Sequence, residues 1–183
     1  MRLPKGTAGQ VLQMNSGATA PEWATGGLSE TSPAATTSGT TVTIDDVLDG
    51  AKRYTVNFWA VGATSDLRVR VRLRVGGTTI STNYTSTTTL LTNSSQSGAS
   101  FTDGFGFNAG GSGSDKISGI LTITKNSTGD FIASGVLSND VGNTIHCGGR
   151  ITSSDVGGTV TGLAIVSVNG TFDSGNVWVF SEP

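Results

Sequence analysis

Hydrophobic and polar residues alternate along most of this chain. The clearest case is Asp66–Val75, DLRVRVRLRV. Leu67, Val69, Val71, Leu73 and Val75 take the odd positions, and Arg68, Arg70, Arg72 and Arg74 the even ones. A strand sends successive side chains to opposite faces, so this is a half-buried strand with one apolar face and one arginine face. The same period runs through Val56, Phe58 and Ala60, and through Ile117, Gly119, Leu121 and Ile123. Strands are predicted near Thr40–Ile44, Arg53–Val61, Leu67–Val75, Thr78–Asn83, Thr87–Leu91, Ser100–Phe107, Lys116–Lys125, Phe131–Leu137, Thr144–Ile151, Thr159–Asn169 and Asn176–Phe180. Glycine turns such as Asp49-Gly50, Gly76-Gly77, Gly157-Gly158 and Asn169-Gly170 separate them. No window holds a sustained helical period, so almost no helix is predicted. Many short strands at this spacing predict an all-β fold, an antiparallel β-sandwich of jelly-roll type.

The pattern divides the chain. Residues 1–27 are broken by Gly6, Gly9, Gly17 and Pro21, leaving room only for short strands such as Gln10–Met14 and Glu22–Ala24. This piece cannot bury a core alone, yet it carries Val11, Leu12, Met14 and Trp23. It is either disordered or buries these side chains against other copies of itself, and Trp23 favours the second because leaving an indole in water is costly. These four residues are the expected anchor and trimer contact. Residues 28–38, LSETSPAATTS, read as a polar linker. Residues 39–183 form the sandwich.

Composition narrows the class. The chain has 183 residues, 28 Thr, 22 Ser and 27 Gly, with 13% charged residues and a net charge of −2. Thr, Val and Gly in alternating patterns fit a β protein rather than a disordered one, which combines low hydrophobicity with high net charge. A near-neutral chain is a poor nucleic-acid binder outside the arginine strand, and no apolar run is long enough to insert in a membrane as a helix. The start, MRLPKGTAGQVLQ, lacks the apolar core of a signal peptide. The Asn-x-Ser/Thr triplets at Asn83, Asn93, Asn126 and Asn169 are then read as by-products of a Ser/Thr-rich chain. One cysteine, Cys147, excludes an intrachain disulfide.

The segment GTAGQVLQMNSGATAPEWA, Gly6–Ala24, resembles the GTxGQVL…G…PxW module of bacteriophage fibre proteins. The rest resembles a C-terminal module of phage tail and virion fibres. Its landmarks are SGTTVTI (Ser38–Ile44), GAKRYTVNFWAV (Gly50–Val61), GDFIASGVL (Gly129–Leu137) and VNGTFDSGNVWVFSE (Val168–Glu182). Together they cover nearly the whole chain. The resemblance implies a homotrimeric virion protein on the outside of a phage particle, made in the bacterial host cytoplasm, with a small N-terminal anchor and a β-sandwich head. The main expectation is a fibre head that binds a host surface polysaccharide, anchored through residues 1–27; its partners would be copies of itself, other virion proteins of the tail, baseplate or capsid, and that polysaccharide. A capsid decoration protein or head fibre gripping the shell through its N-terminus is the alternative. The DLRVRVRLRV strand departs from the resemblance, where a less charged strand is usual.

The arginine face, Arg68, Arg70, Arg72 and Arg74, holds four of the eleven basic residues. Same-face neighbours lie roughly 7 Å apart and repel unless something anionic answers them. Three readings stand: carboxylates such as Asp45, Asp46 or Asp49 balance it, it binds an anionic glycan or phosphate, or it docks on an acidic patch of another virion protein. The glycine-rich FTDGFGFNAGGSGSD stretch, Phe101–Asp115, reads as an exposed binding loop with Phe105, Phe107 and Asn108 at its tip. Trp178 and Phe180 alternate with Val177 and Val179 and read as core or subunit contact. No cofactor or metal site is expected: one His and one Cys are too few for zinc, and His146 and Cys147 point opposite ways on a strand. No catalytic residue is expected either, because the aspartates sit mostly in turns, so the chain reads as no enzyme.

Overall fold

The structure is a computed structural model that describes residues 4–7, 10–15, 17, 19–25, 27–109 and 115–183. Among the described residues the strands are β1 (Gln10–Met14), β2 (Pro21–Thr25), β3 (Ser29–Glu30), β4 (Ala34–Ala35), β5 (Thr41–Ile44), β6 (Arg53–Ala63), β7 (Arg68–Val75) and β8 (Thr78–Thr79). They continue with β9 (Thr85–Leu91), β10 (Gln96–Phe101), β11 (Phe105–Asn108), β12 (Ile117–Lys125), β13 (Phe131–Asn139), β14 (Thr144–Ile151), β15 (Val160–Ser167) and β16 (Phe172–Glu182). A single helical turn, α1 (Ser153–Val156), is capped by Thr152 and ends at Gly157 in the left-handed conformation.

The fold is all-β, an antiparallel sandwich of jelly-roll type. One sheet has nine strands, in the order β10-β9-β14-β13-β12-β6-β16-β3 with β4 also on β16. The other has five, β11-β7-β15-β5 with β8 on β7. Alternation fills the space between them. Val56, Phe58, Leu121, Ile123, Leu137 and Val179 come from the larger sheet, and Val69, Val71, Leu73, Phe107, Leu163 and Ile165 from the smaller, all buried. Phe58 meets Phe107 edge-to-face across the two sheets, with centroids 5.2 Å apart.

Three sequence expectations are corrected here. The linker at residues 28–38 is part of the larger sheet. β3 and β4 pair with β16. Thr31 takes both a donor and an acceptor from Val179, and Thr36 bonds Gly175 and Ser174. Thr31 and Thr36 are buried, so this strap satisfies the edge of β16 that would otherwise be open. Its Ser/Thr content, which reads as linker, supplies the hydroxyls that do the stitching. The single strand expected over Ser100–Phe107 is two. β10 lies in the larger sheet and β11 in the smaller, and Thr102–Gly104 carries the chain from one to the other. Thr78–Asn83 likewise stops pairing as a strand after Thr79. The Gly76-Gly77 turn has both φ values positive, 55° and 81°, as a two-residue hairpin between β7 and β8 requires.

Candidate functional site

The arginine face of β7 is answered from within the chain. Arg70 Nε donates to Asp103 Oδ1 at 2.8 Å, and Arg72 donates to Asp103 Oδ2 at 2.8 Å and to the Asp103 carbonyl at 2.5 Å. Arg74 donates to both Asp45 carboxylate oxygens, at 2.6 and 2.5 Å. Arg68 pairs with Asp66 at 2.8 Å. Of the carboxylates read from sequence, Asp45 takes part; Asp66 and Asp103 were not foreseen.

The turn between β10 and β11 builds this clamp. The Arg70 guanidinium stacks on the Phe101 ring, 3.6 Å from its centroid. A Cβ on Gly106 would lie 2.3 Å from that ring, and one on Gly104 would lie 2.9 Å from the Arg70 Cβ. The glycines of FTDGFGF are therefore clearances for the clamp. Phe105 and Phe107 are not at an exposed tip: both are buried, Phe105 edge-to-face with Tyr84 at 5.0 Å. Their alternation with Gly106 puts both on the core side of β11. Asn108 is half-buried at the end of that strand, and residues 110–114 of the expected loop lie outside the described residues. Burial raises the Asp103 carboxyl, but the hydrogen bonds and charges of Arg70 and Arg72 outweigh it and hold it below the usual carboxylate range. Burial lowers Arg70 more than Asp103 raises it, because its side chain is only 8% exposed.

The N-terminal residues form a separate hairpin. β1 and β2 pair only with each other, from Gln10↔Thr25 to Met14↔Pro21. Leu12 stands opposite Trp23, so Leu12, Met14 and Trp23 share one face; Val11 is on the other. All four are exposed. Trp23 Nε1 donates to the Pro4 carbonyl at 2.6 Å, and its ring lies against Gly6, where a Cβ would come within 2.6 Å. Gly6 and Trp23 are thus in contact. A lone two-stranded hairpin is marginal in water, so this apolar face lacks the burial that would hold it.

Among the described residues the sandwich carries several depressions, two of which stand out. One, of about 530 Å³, is lined by Ser81, Thr82, Asn83, Thr85, Thr102 and Asp155. Asn83, in the left-handed region at φ 66°, donates to Asp155 at 2.9 Å. The second, about 450 Å³, opens on the outer face of the larger sheet around Gly148, His146 and Ser134. Neither was read from sequence, because each collects residues from several strands. Cys147 is half-buried and burial pushes its thiol up to about 12, the opposite of a nucleophile. Among the described residues no group of three His, Cys, Asp or Glu could hold a metal ion, and no helix is long and apolar enough to cross a membrane. Trp178 and Phe180 are half-buried, on the outer face of β16 rather than in the core.

No family model matches the chain. No curated protein matches it either. Among solved structures it shows a likeness to the VP2 subviral particle of infectious bursal disease virus, at 12% identity and a TM-score of 0.20. The match covers 98% of this chain and 49% of that one, so the chain spans about half the length of VP2. That score is too low for a shared fold.

Proposed function

We propose that this is a bacteriophage virion fibre protein that works as a homotrimer, with β1–β2 as the anchor and the sandwich as a structural head. The observation that carries this is the hairpin: a GTxGQVL…PxW segment that folds, pairs with neither of the two larger sheets and leaves Leu12, Met14 and Trp23 exposed on one face. Three copies would cover these faces mutually. The compact head, with its arginines already paired and its aromatic turn in the core, suits a rigid external part. The chain is proposed to act without catalysis. Multi-angle light scattering on the purified protein tests the assembly: three chain masses support the reading, and a stable monomer at high concentration sinks it. Gold-tagged antibody to Gly39–Pro183 on intact particles then locates it. Label on the capsid makes it a decoration protein or head fibre; label at the tail makes it a tail appendage; no label on either counts against a virion role.

A second reading, host recognition, draws support from the Asn83–Asp155 depression. Its lining offers four hydroxyls, an amide and one carboxylate, the donors and acceptors that sugar hydroxyls use. In a trimer it would be presented three times, so weak binding to a surface polysaccharide would gain avidity. Binding of host polysaccharide that disappears in Asn83→Ala would support this. Retention of wild-type binding in that variant would place the receptor site elsewhere.

A further inference from the structure

The outer face of the larger sheet is unlike the rest of the surface. Strand register places Trp178, Asn57, Ile120, Val136, His146 and Thr89 in one row across six strands. Ile120 and Val136 are 48% and 51% exposed at its centre. The next row holds Phe180, three threonines, Ser134 and Gly148. On the other side lie Trp59, which is 63% exposed, and Ser118, Ser138 and Thr144. These rows contain no Lys, Arg, Asp or Glu. Charge returns at both ends: Arg53 pairs with Glu182 and Arg150 with Asp130 at one, and Lys116 and Asp140 lie beside Ser118 and Ser138 at the other. Depletion of charge at a centre carrying aromatic and aliphatic side chains is the composition of an interface core.

We infer that this face is the contact between heads of neighbouring copies in the homotrimer, a conclusion that rests on the trimer reading above. Size supports a second copy as the occupant. Six strands about 4.8 Å apart and the three uncharged rows about 6.8 Å apart span roughly 29 by 20 Å, or about 590 Å². Buried on two copies this is about 1,200 Å² in total, at the lower end of stable protein interfaces and far more than a small ligand covers. Relief supports it too. The face carries a projecting indole at Trp59 and a depression at Gly148, three strands away. A knob and a hole at different places on one surface mate head-to-tail, the kind of contact that closes a ring. The uncharged rows meet their own copy without repulsion. The heads would then associate directly, in addition to the hairpins.

Maleimide labelling of the full chain tests this. Cys147→Ser removes the native thiol, and single variants Ile120→Cys and Val141→Cys place one thiol on the face and one on an exposed turn. The expected result is that Ile120→Cys labels at least about tenfold slower than Val141→Cys while light scattering shows a trimer, and that this protection vanishes on dilution to monomer. Equal labelling in a protein that is trimeric overturns the head contact and leaves the trimer standing. Protection that survives dilution to monomer also overturns it, since the shield would then lie within the chain. A protein that is never trimeric removes the reading on which the contact rests. If Ile120→Cys fails to fold by circular dichroism, Thr122→Cys in the adjacent row takes its place with the same outcomes.

Discussion

Asp103 is the residue on which the arginine strand depends. It accepts from two guanidinium groups at once, and Arg70 and Arg72 have little solvent to replace it. Removing one partner of a buried pair costs about 3–5 kcal/mol; the Asp103 side chain is 37% exposed, so solvent screening brings Asp103→Ala down to about 2 kcal/mol. Urea unfolding of that variant should show a lower midpoint at unchanged slope. A midpoint equal to wild type would mean the clamp contributes nothing. The pH dependence has a defined sign. A carboxyl whose folded pKa lies below its unfolded value, about 3.9 for aspartate, adds stability above that pH and loses it as pH falls through the folded value. Acid titration of stability should therefore be flatter in Asp103→Asn than in wild type below about pH 4. Cys147 gives a residue-scale test of another kind. With its thiol pushed up to about 12, it should stay unlabelled by a thiol reagent at pH 8 in the folded protein and react at once in denaturant. Fast labelling of the native chain would contradict the burial.

At the scale of elements, the strap over residues 29–36 and the turn between β10 and β11 show what local sequence withholds. Strand β14 was legible to the residue and β1 likewise, since turn residues bound each short run on both sides. The strap has no such pattern, because two-residue strands are too short to alternate. Its Thr36 hydroxyl donates to the Ser174 carbonyl at 2.6 Å, at the bulge where Gly175 passes so close to Ala60 that a Cβ would lie 2.4 Å from its carbonyl oxygen. Thr36→Val should cost about 1 kcal/mol by leaving that carbonyl short of a donor. Thermal unfolding measures it, and an unchanged midpoint would show that the strap is not held there. The FTDGFGF turn misled for a different reason. Glycine next to aromatic residues fits an adaptable tip, but it fits equally a backbone that must pass under a ring. Which applies depends on what faces it, here Phe101 and Arg70.

At the scale of the whole molecule, most of the exposed large apolar side chains among the described residues gather in two places, the hairpin and the outer face of the larger sheet. If the hairpin anchors the assembly, Leu12→Ser with Trp23→Ser should raise the concentration at which trimers dissociate while leaving the sandwich folded; scattering across a dilution series with circular dichroism checks both. No change in dissociation would take the hairpin out of the trimer contact. The sequence alone determined the all-β class, most strands and the apolar side chains of the hairpin, because these follow from period and composition, which are local. It also carried a sign of the second patch that is visible afterwards: Ile120-Leu121, Phe131-Ile132 and Val136-Leu137 place apolar residues on both faces of β12 and β13. Only the tertiary structure decided that Asp103 and Asp45 answer the arginines, that Phe105 and Phe107 are core, and that Ile120, Val136 and Trp178 share a row. Those facts depend on strand order and on which sheet each strand joins. The two partners of such a contact lie tens of residues apart, and pairing at that distance is set by the packing of the whole domain.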